Sequence, residues 1–387
     1  MEKERRDNVA VGIIAEYNPF HNGHLYMLNK VKEMYKDDEI ILVLSGNYTQ
    51  RGDVSIIDKW NKADIAKKYG VNLIVELPII YSIQSADFFA KGALEILDSL
   101  KVDKLVFGSE IDDIDILKEI ANVQINNNTF DKLVKIYSRM GYNYPTSLSL
   151  AINEITGKKV DAPNDLLGVS YIKEIIKNNY KIEPILIKRE NDYHSLDISK
   201  ISSGEAIRKA LRKGIDVKEA VPEYTYKNLK NLHFIDDYFN LLKYKIITCK
   251  DLSIYHEVNE GIENKIRKEI LNSNSYDELI NKVKSKRYTY NKIKRILLYI
   301  LLDITKDDMS KLNAWNYIRI LGFDDKGKKY LNRVKKDSKL KIISKFERGN
   351  KLLNLELKST KIYSIPHNEH LEEKEYKIGE NYGKTYK

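Results

Sequence analysis

Residues 9–27 constrain this chain more than any other stretch. Residues 9–15 are short, β-branched and almost uncharged, which suits a strand buried on both faces of a parallel sheet. Glu16 to Asn22 read as a turn, with Asn18-Pro19 as its breaker. From Gly23 the apolar positions Leu25, Leu28 and Val31 recur at helical spacing, so a helix begins at or just before Gly23. Strand, tight turn and helix open a nucleotide-binding α/β unit. The free amides and partial positive charge of the helix N-terminus make an anion site.

His21 and His24 stand three apart at that terminus, so both rings can lie on one face and meet the same anion. Gly23 between them lets backbone approach a phosphate. Imidazoles donate hydrogen bonds to phosphate oxygens and stabilise charge growing at phosphorus. Two other readings stay open on the residues alone. The histidines are two surface side chains met by chance, or they bind a metal, although no third ligand lies nearby.

Strand-like runs alternate with helical ones through the first half: residues 39–45, 73–78, 104–108 and 183–187 read as strands, and 57–69 and 88–100 as helices. This spacing predicts an α/β fold with a doubly wound parallel sheet. Ligands collect at the carboxyl ends of such strands, where Gln50, Arg51 and Gly108 fall. Residues 112–152 read as helical, without legible chemistry. Asn164 follows Pro163 at the start of another helix, either capping it or hydrogen-bonding a base. In residues 201–208 Ser203 and Arg208 form a serine-opened helix with an arginine one and a half turns in. It is either an ordinary N-cap or a second phosphate clamp.

From about residue 213 amphipathic helices dominate the pattern, and a domain boundary is expected between 210 and 225. Lys+Arg 66 against Asp+Glu 56 leaves the chain at +10. The excess concentrates here. Lys284, Lys286, Arg287, Lys292, Lys294 and Arg295 lie in an acid-free run with Tyr288 and Tyr290 interleaved. Positive charge with aromatic faces is a footprint of RNA binding, and these six residues with Tyr288 are the expected tRNA contacts, although a solvated Lys-rich helix looks similar. Residues 340–366 contain short β-like runs. No apolar run approaches the roughly 20 residues of a membrane span, and no signal-peptide core is read at the start. The single cysteine, Cys249, allows no internal disulfide, so a cytoplasmic setting is expected. No P-loop and no Gly-x-Gly-x-x-Gly is present.

His21-Asn-Gly-His24 after a hydrophobic strand resembles the HxGH motif of HIGH-type nucleotidyltransferases, which are Rossmann-like. The longer string from Glu16 to Leu25 resembles the bacterial tRNA(Met) cytidine acetate ligase family. So do Ser45-Gly-Asn-Tyr-Thr-Gln-Arg-Gly52, Phe107-Gly-Ser-Glu110, Pro163-Asn-Asp-Leu-Leu-Gly168 and Tyr317-Ile-Arg-Ile-Leu-Gly322. The resemblance implies a catalytic domain over residues 1–215 and a mostly helical, basic tRNA-binding domain over 216–387. It implies activation of acetate with ATP to acetyl-adenylate, then acetylation of the wobble cytidine of elongator tRNA(Met). By motif, ATP would contact Ile14, Ala15, Glu16, Tyr17, Asn18, Pro19, Phe20, His21, Asn22, Gly23, His24, Leu25, Tyr26, Met27, Gly108, Asn164 and Arg189. Ser203 and Arg208 are added from the superfamily signature, where Gly204 replaces a common Thr. His21 and His24 would be catalytic. No metal ligand is assigned, but Mg²⁺ is expected with the leaving pyrophosphate. No protein partner is implied. Two other classes stand beside this one: an adenylyltransferase acting on a small phosphate ester, and an RNA-binding scaffold with a nucleotide sensor.

Overall fold

The computed structural model of the chain describes residues 9–189 and 202–377. The apolar runs of the first half form β1 (Ala10–Ala15), β2 (Glu39–Ser45), β3 (Leu73–Leu77), β4 (Lys104–Ser109) and β5 (Glu183–Lys188). All five run parallel, in the order β5-β4-β1-β2-β3. The order reverses between β1 and β4, and there the carboxyl ends of the strands leave a crevice.

Alternate residues along each strand face opposite layers, as strand geometry requires. Val11, Ile13, Leu42, Leu44 and Val106 pack against α1 (Asn22–Met34) and α2 (Lys59–Lys68). Ile41, Val43, Val75, Leu105 and Phe107 face the helix Ala86–Ser99. That second layer is continuous with Ile293, Ile296 and Leu297 of the helix Tyr290–Leu302 and with Leu353 and Tyr363 near the C-terminus.

Two strands come from the second half. β6 (Tyr317–Phe323), from a stretch that periodicity reads as helical, pairs antiparallel with β3, and β7 (Lys341–Ile343), from the start of the stretch 340–366 read as β-like, pairs parallel with β6. The sheet therefore has seven strands and is mixed. Burying Arg319 in β6 requires countercharge. Its guanidinium meets Glu375 and lies 3.5 Å from Glu76, while Lys59 Nζ reaches Glu76 at 2.6 Å and Glu375 at 2.8 Å. Most of residues 351–364, read as β-like, instead form the helix Lys351–Ser364, burying Leu352, Leu355, Glu356, Ser359 and Tyr363 at helical spacing. The stretch 112–152 is three helices, Ile114–Asn126, Asn128–Arg139 and Tyr144–Thr156, each started by a side-chain cap from Asp113, Asn127 or Asn143.

Candidate active site

His21 is the N-cap of α1. Its Nδ1 accepts from the Gly23 amide at 3.1 Å, and His24 Nδ1 accepts from the His21 amide at 3.2 Å. Each ring spends Nδ1 as an acceptor, so in the neutral form the proton sits on Nε2. The rings lie 3.7 Å apart, inclined by 30°. His21 is buried and His24 half-buried, so they are not chance surface histidines. Burial, then the charges of Arg189 and Arg208, pull His21 down to about 3. Burial, His21 and Arg189 push His24 the same way. At neutral pH the pair therefore presents two uncharged Nε2–H donors.

The turn before α1 is held rigidly. Tyr17 adopts φ +46°, a left-handed conformation that costs a non-glycine residue about 1 kcal/mol or more. Its ring packs edge-on to Phe20 at 4.8 Å, and His24 lies 4.8 Å away. Asn18 donates to Val54 O at 3.2 Å and accepts from Ile56 N at 2.9 Å. The Glu16 carboxylate accepts from Gln50 N at 2.6 Å. Beneath the turn, fully buried Lys62 donates to the carbonyls of Glu16, Ser45 and Gly46 and to Ser55 Oγ, all at 2.7–2.9 Å. Burial pulls its ammonium down to about 7. Pro19 is buried, Ile14, Ala15, Leu25 and Met27 are half-buried, Tyr26 is exposed, and Asn22 donates to Glu219 O at 2.8 Å.

The other side of the crevice gathers around Glu110. Asn164 Nδ2 donates to Glu110 Oε1 at 2.7 Å, and Arg189 Nε lies 3.5 Å from the same oxygen. Asn164 is not the helix cap; Ala162 holds that position. The Arg189 stem crosses Gly108, where a Cβ would lie 3.2 Å from Arg189 Cγ. Asp165 shapes the loop after β4, accepting from Ser109 Oγ at 2.5 Å and from Glu110 N at 2.8 Å.

Ser203 caps the helix Gly204–Arg212 by accepting from Ala206 N, as the ordinary reading had it. Arg208 Nη1 donates to Asn18 O at 2.7 Å. A Cβ at Gly204 would come within 3.2 Å of the same carbonyl, so this glycine makes room for the contact. Residue 201, with Tyr193 and His194, lies outside the described residues.

The structure thus brings His21, His24, Gly108, Asn164, Arg189, Ser203 and Arg208 around one crevice. Sequence reasoning missed Lys62, Glu110 and Asp165. A lysine on an amphipathic helix reads as solvent-facing, and an acid beside a turn reads as a cap.

The basic run divides by exposure. Lys284, Lys286 and Arg287 are exposed, with Arg287 2.9 Å from Glu260. Lys292, Lys294 and Arg295 are half-buried. Lys294 Nζ meets Asp53 at 2.7 Å, and Arg295 lies 3.4 Å from Glu257. Tyr288 is buried, its hydroxyl donating to Asn259 O at 2.7 Å.

Comparisons with known proteins place the chain in a family. The model of the HIGH Nucleotidyl Transferase family matches residues 8–377. The tRNA(Met) cytidine acetate ligase of Caldicellulosiruptor saccharolyticus is 38% identical over 381 residues, 93% of this chain and 95% of the relative. That of Clostridium perfringens is 39% identical over 380 residues, 92% of this chain and 94% of the relative. The crystal structure of Thermotoga maritima TmcAL superposes with a TM-score of 0.88 at 30% identity, covering 96% of this chain and 98% of that one. Its complex with alpha-thio ATP gives 0.84, covering 94% and 96%. With the family model matched over residues 8–377 and relatives 38–39% identical over more than nine-tenths of both chains, this protein belongs to the tRNA(Met) cytidine acetate ligases, a family of HIGH nucleotidyl transferases.

Proposed function

We propose that this chain adenylates acetate with ATP and passes the acetyl group to the exocyclic amine of the wobble cytidine of elongator tRNA(Met). One observation carries the chemistry: the two Nε2–H donors of His21 and His24 at the start of α1, flanked by Arg189 and Arg208. In the first step an acetate oxygen attacks the α-phosphorus, and the bond to pyrophosphate breaks. The two imidazoles and Arg208 stabilise the charge that grows on the phosphoryl oxygens and the leaving group. In the second step the cytidine nitrogen attacks the acetyl carbon. The bond to AMP breaks, AMP leaves with the electron pair, and the amine sheds a proton. Gly108, Asn164 and Arg189 hold the nucleoside end.

Mg²⁺ fits this site as an ion carried by phosphate. Glu16, Asp53 and Glu110 already accept from Gln50, Lys294 and Asn164. Among the described residues no three His, Cys, Asp or Glu side chains gather as a metal site. The ion would neutralise pyrophosphate oxygens.

In this reading residues 1–215 carry the chemistry and 216–387 hold the tRNA, with Lys284, Lys286 and Arg287 as phosphate contacts. Lys294 ties that strip to the loop after β2 through Asp53. No described helix is long and apolar enough to cross a membrane, and the cytoplasm supplies all three substrates. The test is incubation with ATP, labelled acetate and tRNA. Label recovered as N-acetylcytidine at the wobble position supports the reading; no transfer to tRNA contradicts it.

A further inference from the structure

The basic run carries two tyrosines, and the structure separates them. Tyr288 is 7% exposed, its hydroxyl tied to Asn259 O and Lys292 Nζ 4.8 Å from its ring centre. Tyr290, the first residue of its helix, is 38% exposed. Its hydroxyl donates to Asp277 Oδ1 at 3.2 Å, and Lys294 Nζ lies 5.7 Å from the ring centre. The ring is therefore anchored at its tip and flanked by a cation, while much of its surface faces solvent.

Its position matters as much as its exposure. Lys294 binds Asp53 at 2.7 Å, in the loop that carries Arg51. That loop meets the helix backbone to backbone: Gly52 has φ +77°, and a Cβ there would lie 2.5 Å from Arg295 N. Arg208, which holds the Asn18 carbonyl, is within electrostatic reach of Asp53, Arg51 and Glu205. Tyr290 is within reach of the same Asp53 and Glu205. So the exposed ring stands at the rim of the phosphate crevice, where the exposed lysines and Arg287 end.

We propose that Tyr290 is the platform on which an unstacked pyrimidine of the incoming single-stranded RNA stacks while its amine reaches the acyl-adenylate. The inference rests on the acetyl-transfer reading above. A base whose exocyclic amine is to react must leave its own stack, and an aromatic face replaces the stacking it gives up. A ring already fixed at its hydroxyl loses little freedom on binding. The exposed Lys284, Lys286 and Arg287, three to six residues before it, favour a polyanion over an apolar peptide.

The test uses an anticodon stem-loop RNA with pyrrolocytosine at the wobble position, whose fluorescence falls on stacking. Quenching is expected with the wild-type chain and with Tyr290→Phe, and its loss with Tyr290→Ala. With tRNA, Tyr290→Ala should lower kcat/KM for acetylation about tenfold or more relative to acetate-dependent pyrophosphate exchange in the same sample, and Tyr290→Phe less than about threefold. Should the alanine variant not fold, Tyr290→Leu, with similar bulk and no π face, carries the same comparison. Full quenching and unchanged kcat/KM in the alanine or leucine variant overturn the proposal. The stem-loop experiment needs no turnover, so it reads stacking whichever acid is adenylated.

Discussion

Arg208 donates to the main-chain carbonyl of Asn18 at 2.7 Å, across 190 residues of sequence. One contact thereby joins the helix that follows Ser203 to the turn that precedes His21. The same guanidinium has its remaining N–H groups to offer a phosphate. Replacing Arg208 by alanine removes a charge-assisted bond of about 1.5–3 kcal/mol. The expected loss in kcat/KM for ATP in pyrophosphate exchange is roughly 10- to 100-fold. Arg208→Lys should recover only part of it, because an ammonium cannot span both partners. A loss below about twofold for the alanine variant would remove Arg208 from the site.

Lys62 makes four contacts to oxygen beneath the turn. Lys62→Met keeps the bulk of the stem and leaves three carbonyls and the Ser55 hydroxyl without this donor. The expected cost is about 2–4 kcal/mol, read as a lower urea midpoint, with a raised KM for ATP. Wild-type stability and KM in this variant would contradict the placement of Lys62 as the support of the turn.

Acid sensitivity follows from the buried imidazoles. His21 is held near 3 against an ordinary 6.5, and His24 is pushed the same way. Below pH 6.5 the unfolded chain takes up protons that the folded chain refuses. Stability is therefore complete above pH 6.5 and falls as pH drops toward 3. His233, pulled by burial to about 4, adds to the same slope. The double variant His21→Asn, His24→Asn should show a flatter urea midpoint between pH 6.5 and 4 than the wild type. An unchanged slope would mean that these rings are protonated in the folded chain.

The HNGH turn was legible because its strand, breaker and helix all act locally. Arg208 and Arg189 were legible only through a resemblance, since nothing in their neighbours tells a clamp from a surface arginine. β6 was not legible. Its partner β3 lies some 240 residues away, and the charge of Arg319, which reads as solvent-facing, is offset by Glu76 and Glu375 from distant segments. Of the two tyrosines in the basic run, Tyr288 is the tRNA contact expected from sequence, but the structure buries that ring beside Asn259 and leaves Tyr290 exposed. Periodicity misled at residues 351–364, where leucines mixed with polar residues look strand-like until the helix buries Glu356 and Thr360 along with them.

The exposed strip should behave as a phosphate contact. Lys284→Glu, Lys286→Glu and Arg287→Glu together should weaken tRNA binding at least tenfold and lower the salt slope of log K by about two to three. Filter binding across a salt series measures both. An unchanged slope would place the tRNA elsewhere on the chain.

Pyrophosphate exchange into ATP tests the central claim most directly, with acetate, formate, propionate and a small phosphate ester assayed side by side. Exchange that depends on acetate, and that falls steeply in His21→Ala and His24→Ala, is the expected result. Exchange driven by the phosphate ester with none from acetate would contradict it, and would make the chain an adenylyltransferase working through the same pair of histidines.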